Sequence, residues 1–290
     1  MGEDLIDTNF IKIVECPRDA MQGIHDFIPT LKKAEYIEQL LSVGFDTLDF
    51  GSFVSPKAIP QMKDTQDVLK LLDLNNTNTK LLAIVANERG AIDACIHEEI
   101  AYLGYPFSIS ETFQIRNANS TIEKSLNRLK RIKELADSHS KSMVVYISMG
   151  FGNPYGNEWN VDIVQYWVEV LAAMDIRIIQ LSDTVGVARP DSIAYLFSAL
   201  IPANPEIEIG AHFHTTPYSW LEKVESAYEN GCRRFDGTIK GVGGCPMAQN
   251  ALVGNMPSEH LITFAKDRNL VTNLNLENYA TAMKMANEIM

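Results

Sequence analysis

Short apolar and β-branched runs recur along the chain and predict eight β-strands, with helical segments between them. Eight strands that alternate with helices are typical of a closed (β/α)8 barrel rather than an open sheet, which more often has five or six strands. We therefore predict an α/β fold, a TIM barrel. The predicted strands are IKIVE (11–15), TLDFG (47–51), LLAIVA (81–86), FSIS (107–110), MVVYIS (143–148), IIQLSD (178–183), IGAHFH (209–214) and RFDGTI (234–239).

Apolar residues at spacings of three and four mark the intervening helices. The clearest segments are 31–44, which stops at Gly44, and 120–140, 160–174 and 189–201. After the eighth strand, two more helical patterns follow, in 258–270 and 275–290, which is more than one eighth helix needs. No linker or change of composition interrupts the chain, so we expect one catalytic domain over residues 1–290 with extra C-terminal helices.

Composition narrows the classes of partner. The chain has 290 residues, with 37 acidic and 25 basic side chains and a formal net charge of −12. This charge disfavours nucleic acid and anionic membranes as partners, and no apolar stretch approaches the length of about 20 residues that spans a bilayer. The four cysteines form no CxxC pair and the N-terminus lacks a secretion signal, so we expect reduced thiols in the cytoplasm.

The chemistry of a TIM barrel lies where strands end and the following loops begin. His212 and His214 are two residues apart on the seventh predicted strand and therefore point the same way, with Phe213 opposite. Two interpretations fit this pair: half of a metal site, or two separately hydrogen-bonded histidines in a polar crevice. The other candidates at strand ends are Arg18, Asp19, Asp49, Asp183, Cys245 and Asn255.

The first loop offers a carboxylate and a guanidinium side by side. Asp19 and the amide oxygen of Asn255, together with the two histidines, would suit Mg²⁺ or Mn²⁺ better than a closed zinc site. Alternatively, Asp19 caps a helix or pairs with Arg18. The Arg18 guanidinium suits an oxyanion or enolate, although a salt bridge at the barrel mouth is the other interpretation.

The segment GVGGCP places Cys245 beside three glycines. Such a loop can close over a substrate and deliver a thiol, or it can simply form a tight turn around a buried cysteine.

Taken together, these motifs resemble those of the 3-hydroxy-3-methylglutaryl-CoA lyases, within a wider superfamily of metal-dependent TIM-barrel lyases and synthases. The resemblance covers nearly the whole chain, and five motifs in the same order carry it. They are KIVECPRDAMQ, GFDTLDFGSFVSPKAIPQM, LSDTVG, GAHFHTT and GGCPMAQNALVGN.

The resemblance implies a role for each candidate in cleaving a hydroxyacyl-CoA to acetoacetate and acetyl-CoA. Asp19, His212, His214 and Asn255 would hold a divalent cation, Mg²⁺ or Mn²⁺. Arg18 would stabilise the enolate, and Cys245 would act in proton transfer. His212 could take part in acid–base chemistry as well. The remaining expected site residues are Asp49, Asp183 and Glu259 as acidic groups, and His25 and Gln22 at the CoA portion of the substrate.

Several positions depart from the family pattern. The usual RDGLQ is RDAMQ here, with Ala20 and Met21, and Thr215 stands where the family often has aspartate. Asp49 stands where the family has a glutamate, and His25 stands where it has a lysine.

The alternatives are a condensing synthase acting on a 2-oxo acid and an inactive metal-binding barrel. Cys245 argues against the first, and the retention of Arg18 with Cys245 argues against the second. We expect a homodimer with an acyl-CoA substrate.

Overall fold

The computed structural model describes residues 9–244 and 253–290, and in these ranges nine strands and eleven α-helices form. The strands are β1 (Lys12–Glu15), β2 (Thr47–Ser52), β3 (Lys80–Ile84), β4 (Ile100–Ser108), β5 (Ser142–Ser148), β6 (Ile178–Asp183), β7 (Glu208–Thr215), β8 (Arg234–Gly237) and β9 (Gly254–Asn255). The helices are α1 (Pro17–Gln22), α2 (Thr30–Val43), α3 (Thr65–Leu69), α4 (Glu88–Cys95), α5 (Glu111–Ala118), α6 (Ile122–Ser138), α7 (Val161–Ala172), α8 (Pro190–Ala203), α9 (Trp220–Glu229), α10 (Ser258–Asp267) and α11 (Leu276–Ile289).

Strands β1 to β8 close into a parallel barrel. Each pairs with its neighbour in the chain, and the ring is completed by β1 beside β8, where Lys12 pairs with Arg234 and Glu15 with Gly237. Because all eight strands are parallel, their carboxyl ends meet at one rim. The predicted TIM barrel is confirmed, and so are the two helices after the eighth strand, α10 and α11, one more than the barrel needs.

The fourth strand differs from its prediction. It runs over Ile100–Ser108 rather than 107–110, because Gly104 and Pro106 break the apolar pattern without breaking the pairing with β5. Ser110 instead caps α5, where its side chain accepts a hydrogen bond from the Phe113 amide.

The eighth strand is shorter than predicted and a ninth follows it. Strand β8 ends at Gly237, and residues Ile239–Gly241 form a 3₁₀ turn. The two-residue strand β9 then pairs antiparallel with β7, placing Asn255 opposite His214. This pairing brings the chain back across the rim.

Apolar side chains fill the layer between barrel and helices. The barrel interior is more polar: Gln180, Arg234 and Asp236 are each at most 2 % exposed. Among the helices of the described ranges, none has the length and apolar character needed to cross a bilayer.

One buried carboxylate, Glu15, lies under the N-terminus of α10. It accepts hydrogen bonds from the Ser258 hydroxyl and, at 2.8 Å, from the Ile239 amide. Burial raises the pKa of Glu15 from 4.5 to about 8, opposed by these two hydrogen bonds and assisted by the charge of Glu259.

This shift predicts a pH-dependent stability. Because the folded-state pKa of Glu15 exceeds the unfolded value, the folded protein holds an extra proton between pH 4.5 and about 8. The contribution of Glu15 to the unfolding free energy is therefore lost progressively as the pH rises through this window and is constant above it. We expect the unfolding free energy of Glu15→Gln to rise relative to that of the parent across this window, by about 1.4 kcal/mol for each unit of pKa shift. Urea unfolding from pH 5 to pH 9 measures it.

The control is Glu35→Gln, which changes an exposed glutamate on α2. A Glu15→Gln curve parallel to the parent's would contradict the assignment.

Candidate active site

The first loop turns into helix α1 directly after β1. Pro17 occupies the first turn, where its missing N–H costs nothing, and Arg18 and Asp19 follow at the rim. The Asp19 carboxylate is 8 % exposed. Its Oδ1 accepts from Arg18 Nη1 at 2.9 Å, and its Oδ2 accepts from Asn255 Nδ2 at 2.7 Å. The pairing of Asp19 with Arg18, one of the two interpretations from the sequence, is therefore observed, and the ligand role stays a prediction.

His212 and His214 share the inward face of β7, as their spacing predicts. Their ring centroids are 5.4 Å apart, whereas Phe213 packs outward against Phe151. Each ring is held through Nδ1: in His212 by Asp236 Oδ2 at 3.0 Å, and in His214 by the Thr184 carbonyl at 2.8 Å. Because Nδ1 is engaged in both rings, Nε2 is the nitrogen available to a ligand.

Three potential ligand atoms converge at this point. One atom from each of Asp19, His212 and His214 lies within 4.8 Å of the other two. Asn255 joins them from β9, and its Oδ1 is buried without a hydrogen-bond partner among the described residues. The Asn255 Nδ2 bonds Asp19, so its buried, unpartnered amide oxygen belongs to a residue in direct contact with this cluster, and an oxygen donor of that kind fits a divalent cation.

The charges of the site also fit a cation. Asp19, Asp49 and Asp236 are buried carboxylates, and Arg18 is the guanidinium among them. When the histidines are neutral, these groups sum to about −2, which a divalent cation would balance.

Two pKa shifts favour the protonation states that metal ligands need. Burial, helped by the charge of His212, lowers the pKa of His214 to about 4. Burial raises the pKa of Asp19, but the charges of Arg18, His212 and His214 more than compensate, so the net pKa is lower than usual. For His212, burial lowers the pKa, and the hydrogen bond and charge of Asp236 outweigh it and raise the pKa overall.

Arg18 is held in place by hydrogen bonds to four acceptor atoms, one of which is Asp49 Oδ1, 3.2 Å from Nε. Its Nε lies 3.0 Å from Asp49 Oδ2, and its Nη2 also bonds that oxygen. Nη1 donates to Asp19 Oδ1 and, at 3.0 Å, to Gln22 Oε1. The guanidinium has five N–H groups, so one on Nη2 remains for a substrate oxygen.

Asp49 lies within β2 rather than at its end, beside a register shift between Asp49 and Gly51. Burial raises the pKa of Asp49 to about 6, against the charge and hydrogen bond of Arg18. The Asp49 carboxylate is therefore mainly ionised at pH 7 and acts as the anchor of Arg18.

Asp183 ends β6 as predicted, but it does not reach the cluster. Its Oδ2 pairs with Lys223 Nζ at 2.6 Å, and its Oδ1 accepts from the Ala188 amide. Lys223 also donates to the His214 carbonyl at 2.9 Å. The pair therefore supports the backbone of β7 just behind His214.

The remaining predicted residues are spread more widely. Glu259 accepts from the Lys240 amide and the Tyr279 hydroxyl. His25 is exposed and pairs only with the neighbouring Asp26 among the contacts described here. Cys245 lies outside the described residues.

Sequence reasoning missed the residues that orient the histidines. Asp236 is an acidic residue inside a short buried strand, which is a detectable signal because buried carboxylates require partners. The carbonyl of Thr184 carries no side-chain signal at all. Lys223 lies on α9 and looks in the sequence like a solvent-facing helix residue, yet it is 2 % exposed.

An apolar cluster of β3 and β5 side chains lies beside His212. Leu82, Ile84, Val144 and Tyr146 are buried together, with Val54 packed against them. The Tyr146 ring meets His212 edge to face, with centroids 5.8 Å apart. This contact bounds the His212 ring on one side.

TIM-barrel enzymes carry their active sites at the carboxyl ends of the strands, which is where this polar cluster lies. A family model described as HMGL-like matches residues 11–286. The hydroxymethylglutaryl-CoA lyase YngG of Bacillus subtilis is 32% identical over 277 residues, covering 94% of this chain and 91% of that protein. The human mitochondrial hydroxymethylglutaryl-CoA lyase is 31% identical over 269 residues, covering 92% and 82%.

Solved structures of HMG-CoA lyases are also similar to this chain. An HMG-CoA lyase from Acinetobacter baumannii, in complex with coenzyme A and 3-methylmalate, superposes with a TM-score of 0.89 at 28% identity, covering 100% of this chain and 93% of that chain. The B. subtilis HMG-CoA lyase structure gives a TM-score of 0.90 at 32% identity, covering 97% and 93%. The chain belongs to the HMGL-like family, and it is a carbon–carbon lyase.

The Asp183–Lys223 pair predicts a large effect on stability. Lys223→Met leaves the Asp183 charge buried and unpaired, so we expect the unfolding free energy to fall by about 3–5 kcal/mol, as measured by urea unfolding. Adding Asp183→Asn to the same protein should recover part of the loss. A loss under about 1 kcal/mol, the scale of an exposed pair, would contradict the assignment.

Proposed function

We propose that the protein is a metal-dependent lyase that cleaves 3-hydroxy-3-methylglutaryl-CoA, or a close hydroxyacyl-CoA, to acetoacetate and acetyl-CoA. One observation carries the proposal: Asp19, His212 and His214 converge beside Arg18 on a chain of this lyase family, and Asn255 is bonded to Asp19. The coenzyme A and 3-methylmalate in the Acinetobacter baumannii structure support a thioester substrate with a compact acid portion.

These four residues would hold Mg²⁺ or Mn²⁺. When bound, such a cation would polarise the hydroxyl and carboxyl or carbonyl oxygens of the substrate and favour loss of the hydroxyl proton. The mixture of carboxylate, amide and imidazole ligands suits both ions better than it suits a closed structural zinc site.

Arg18 meets the charge at the other end of the breaking bond. A base takes the hydroxyl proton, the hydroxyl oxygen becomes the ketone oxygen of the departing acetoacetate, and the electron pair of the broken Cα–Cβ bond moves onto the thioester carbonyl as an enolate. The free N–H on Arg18 Nη2 can donate to that oxygen, and Asp49 and Gln22 keep the guanidinium from turning away.

Protonation of the enolate carbon completes the formation of acetyl-CoA, and we assign this proton transfer to Cys245. His212 is assigned to the cation alone, because with Nδ1 bonded to Asp236 and Nε2 given to the cation neither ring nitrogen is free to exchange a proton. Asp183 would act through the backbone of His214, and Glu259 would support the 3₁₀ turn at Lys240. We assign His25 to the CoA portion, where its exposure suits contact with a large, partly solvated ligand. The homodimer and the cytoplasmic location remain predictions.

Chelation tests the metal requirement. Protein stripped with EDTA should release no acetyl-CoA from 3-hydroxy-3-methylglutaryl-CoA, and Mg²⁺ or Mn²⁺ should restore release. Asp19→Asn should lower the restored rate by about 10²–10³-fold or more, the scale of losing one group that stabilises transition-state charge. Full activity of the stripped protein would rule out the metal-dependent mechanism. Metal-restored binding without cleavage of any hydroxyacyl-CoA would favour an inactive barrel.

The thiol is tested separately. Cys245→Ala should keep Mn²⁺ binding but lose cleavage by about 10²–10⁴-fold, the range for a general acid–base group, measured as acetyl-CoA release. Cys95→Ala removes a different buried cysteine, on α4, and serves as the control. Turnover of Cys245→Ala equal to that of the control would exclude the thiol from the mechanism.

A further inference from the structure

A buried carboxylate on β8 holds the ring of His212. Asp236 is 2 % exposed, and its Oδ2 lies 3.0 Å from His212 Nδ1. A carboxylate can only accept there, so the proton must sit on Nδ1 of the ring. The ring is thereby turned so that Nε2 is the nitrogen left for the cluster with Asp19 and His214.

The Asp236 carboxylate is itself held by a side chain from β6, on the other side of β7. Its Oδ1 accepts a hydrogen bond from Gln180 Nε2 on β6, so Asp236 and Gln180 bracket β7, which carries His212. Gly210 leaves room for the Gln180 side chain to pass over β7 and reach Asp236. It precedes His212 by two residues on the inward face, and a Cβ there would lie 1.8 Å from Gln180 Oε1. Both side chains are buried, so the orientation does not depend on solvent.

The second histidine is held differently. His214 Nδ1 donates to a main-chain carbonyl, that of Thr184, which no side-chain substitution removes. His212 is the histidine whose orientation depends on side chains. The edge-to-face contact with Tyr146 limits the ring on its other side but does not distinguish the two nitrogens.

We propose that Asp236 is a positioning residue for the metal cluster, and that Gln180 and the absent side chain of Gly210 hold Asp236 in place. The inference rests on the proposed metal-dependent function and extends it to three residues that do not touch the ion. Without the carboxylate, the His212 ring can rotate or move its proton to Nε2, and either change removes one ligand. Outer partners of this kind contribute about 10- to 100-fold to metal affinity.

The test is calorimetric titration of the stripped, folded protein with Mn²⁺ alone. We expect Asp236→Ala to bind Mn²⁺ about 100-fold more weakly than the parent, and Asp236→Asn about 10-fold more weakly. The asparagine oxygen can still accept from Nδ1, so orientation is kept while charge is lost. If the alanine variant does not fold, the asparagine variant alone decides, and affinity within twofold of the parent overturns the proposal.

A matched control separates positioning from general stability. Asp64 is a similarly buried carboxylate, and its side chain bonds Lys33 and Thr30 on α2, neither of which belongs to the metal cluster. Asp64→Ala should lower the unfolding temperature yet keep the parent's Mn²⁺ affinity. An equal loss of affinity in the Asp64 and Asp236 variants would show that destabilisation, not positioning, causes the effect, and would overturn the proposal.

The Mn²⁺ titration distinguishes the positioning role of Asp236 from the presence of the metal site itself. A parent protein that binds Mn²⁺ while both Asp236 variants bind it equally well overturns only the positioning role. A parent protein that binds neither Mn²⁺ nor Mg²⁺ overturns the proposed function together with this extension of it.

Discussion

Closure of the parallel ring is the constraint on which the rest of the structure depends. The first strand is hydrogen-bonded to the eighth, and the eighth to the seventh, so the loop after β1 lies two strands from the histidine strand. Parallel pairing then puts all of these carboxyl ends on the same rim. Asp19 can meet His212 and His214 only because the ring closes. The antiparallel pairing of β9 with β7 adds Asn255 at the level of His214.

The rim concentrates buried charge, and each charge has a defined partner. Arg18 links Asp19 to Asp49, and Lys223 holds Asp183 beneath the histidine strand. Pairs of this kind contribute little net stability compared with well-packed apolar side chains. What they provide is fixed geometry: ligand atoms and a guanidinium stay oriented before the substrate arrives, so little reorganisation is needed during the reaction.

The sequence predicted the barrel and most of the rim, because strand periodicity and the position of polar residues at strand ends are local signals. His212 and His214 were placed correctly by spacing alone, since alternate strand residues share a face. The limits of β4 were wrong because Gly104 and Pro106 interrupt the apolar run. Strand β9 is two residues long and exists only through its pairing with β7, so no local pattern could reveal it. No local pattern predicts the roles of Asp236 and Lys223, because each side chain acts through a partner that is distant in the chain.

The most direct test of the central claim is an anomalous difference map from crystals soaked in Mn²⁺. The account predicts one strong peak at the rim, at about 2.0–2.3 Å from a carboxylate oxygen of Asp19, Nε2 of His212 and His214, and Oδ1 of Asn255. A map with no peak there at saturating Mn²⁺, or a peak bound by other side chains, would contradict it.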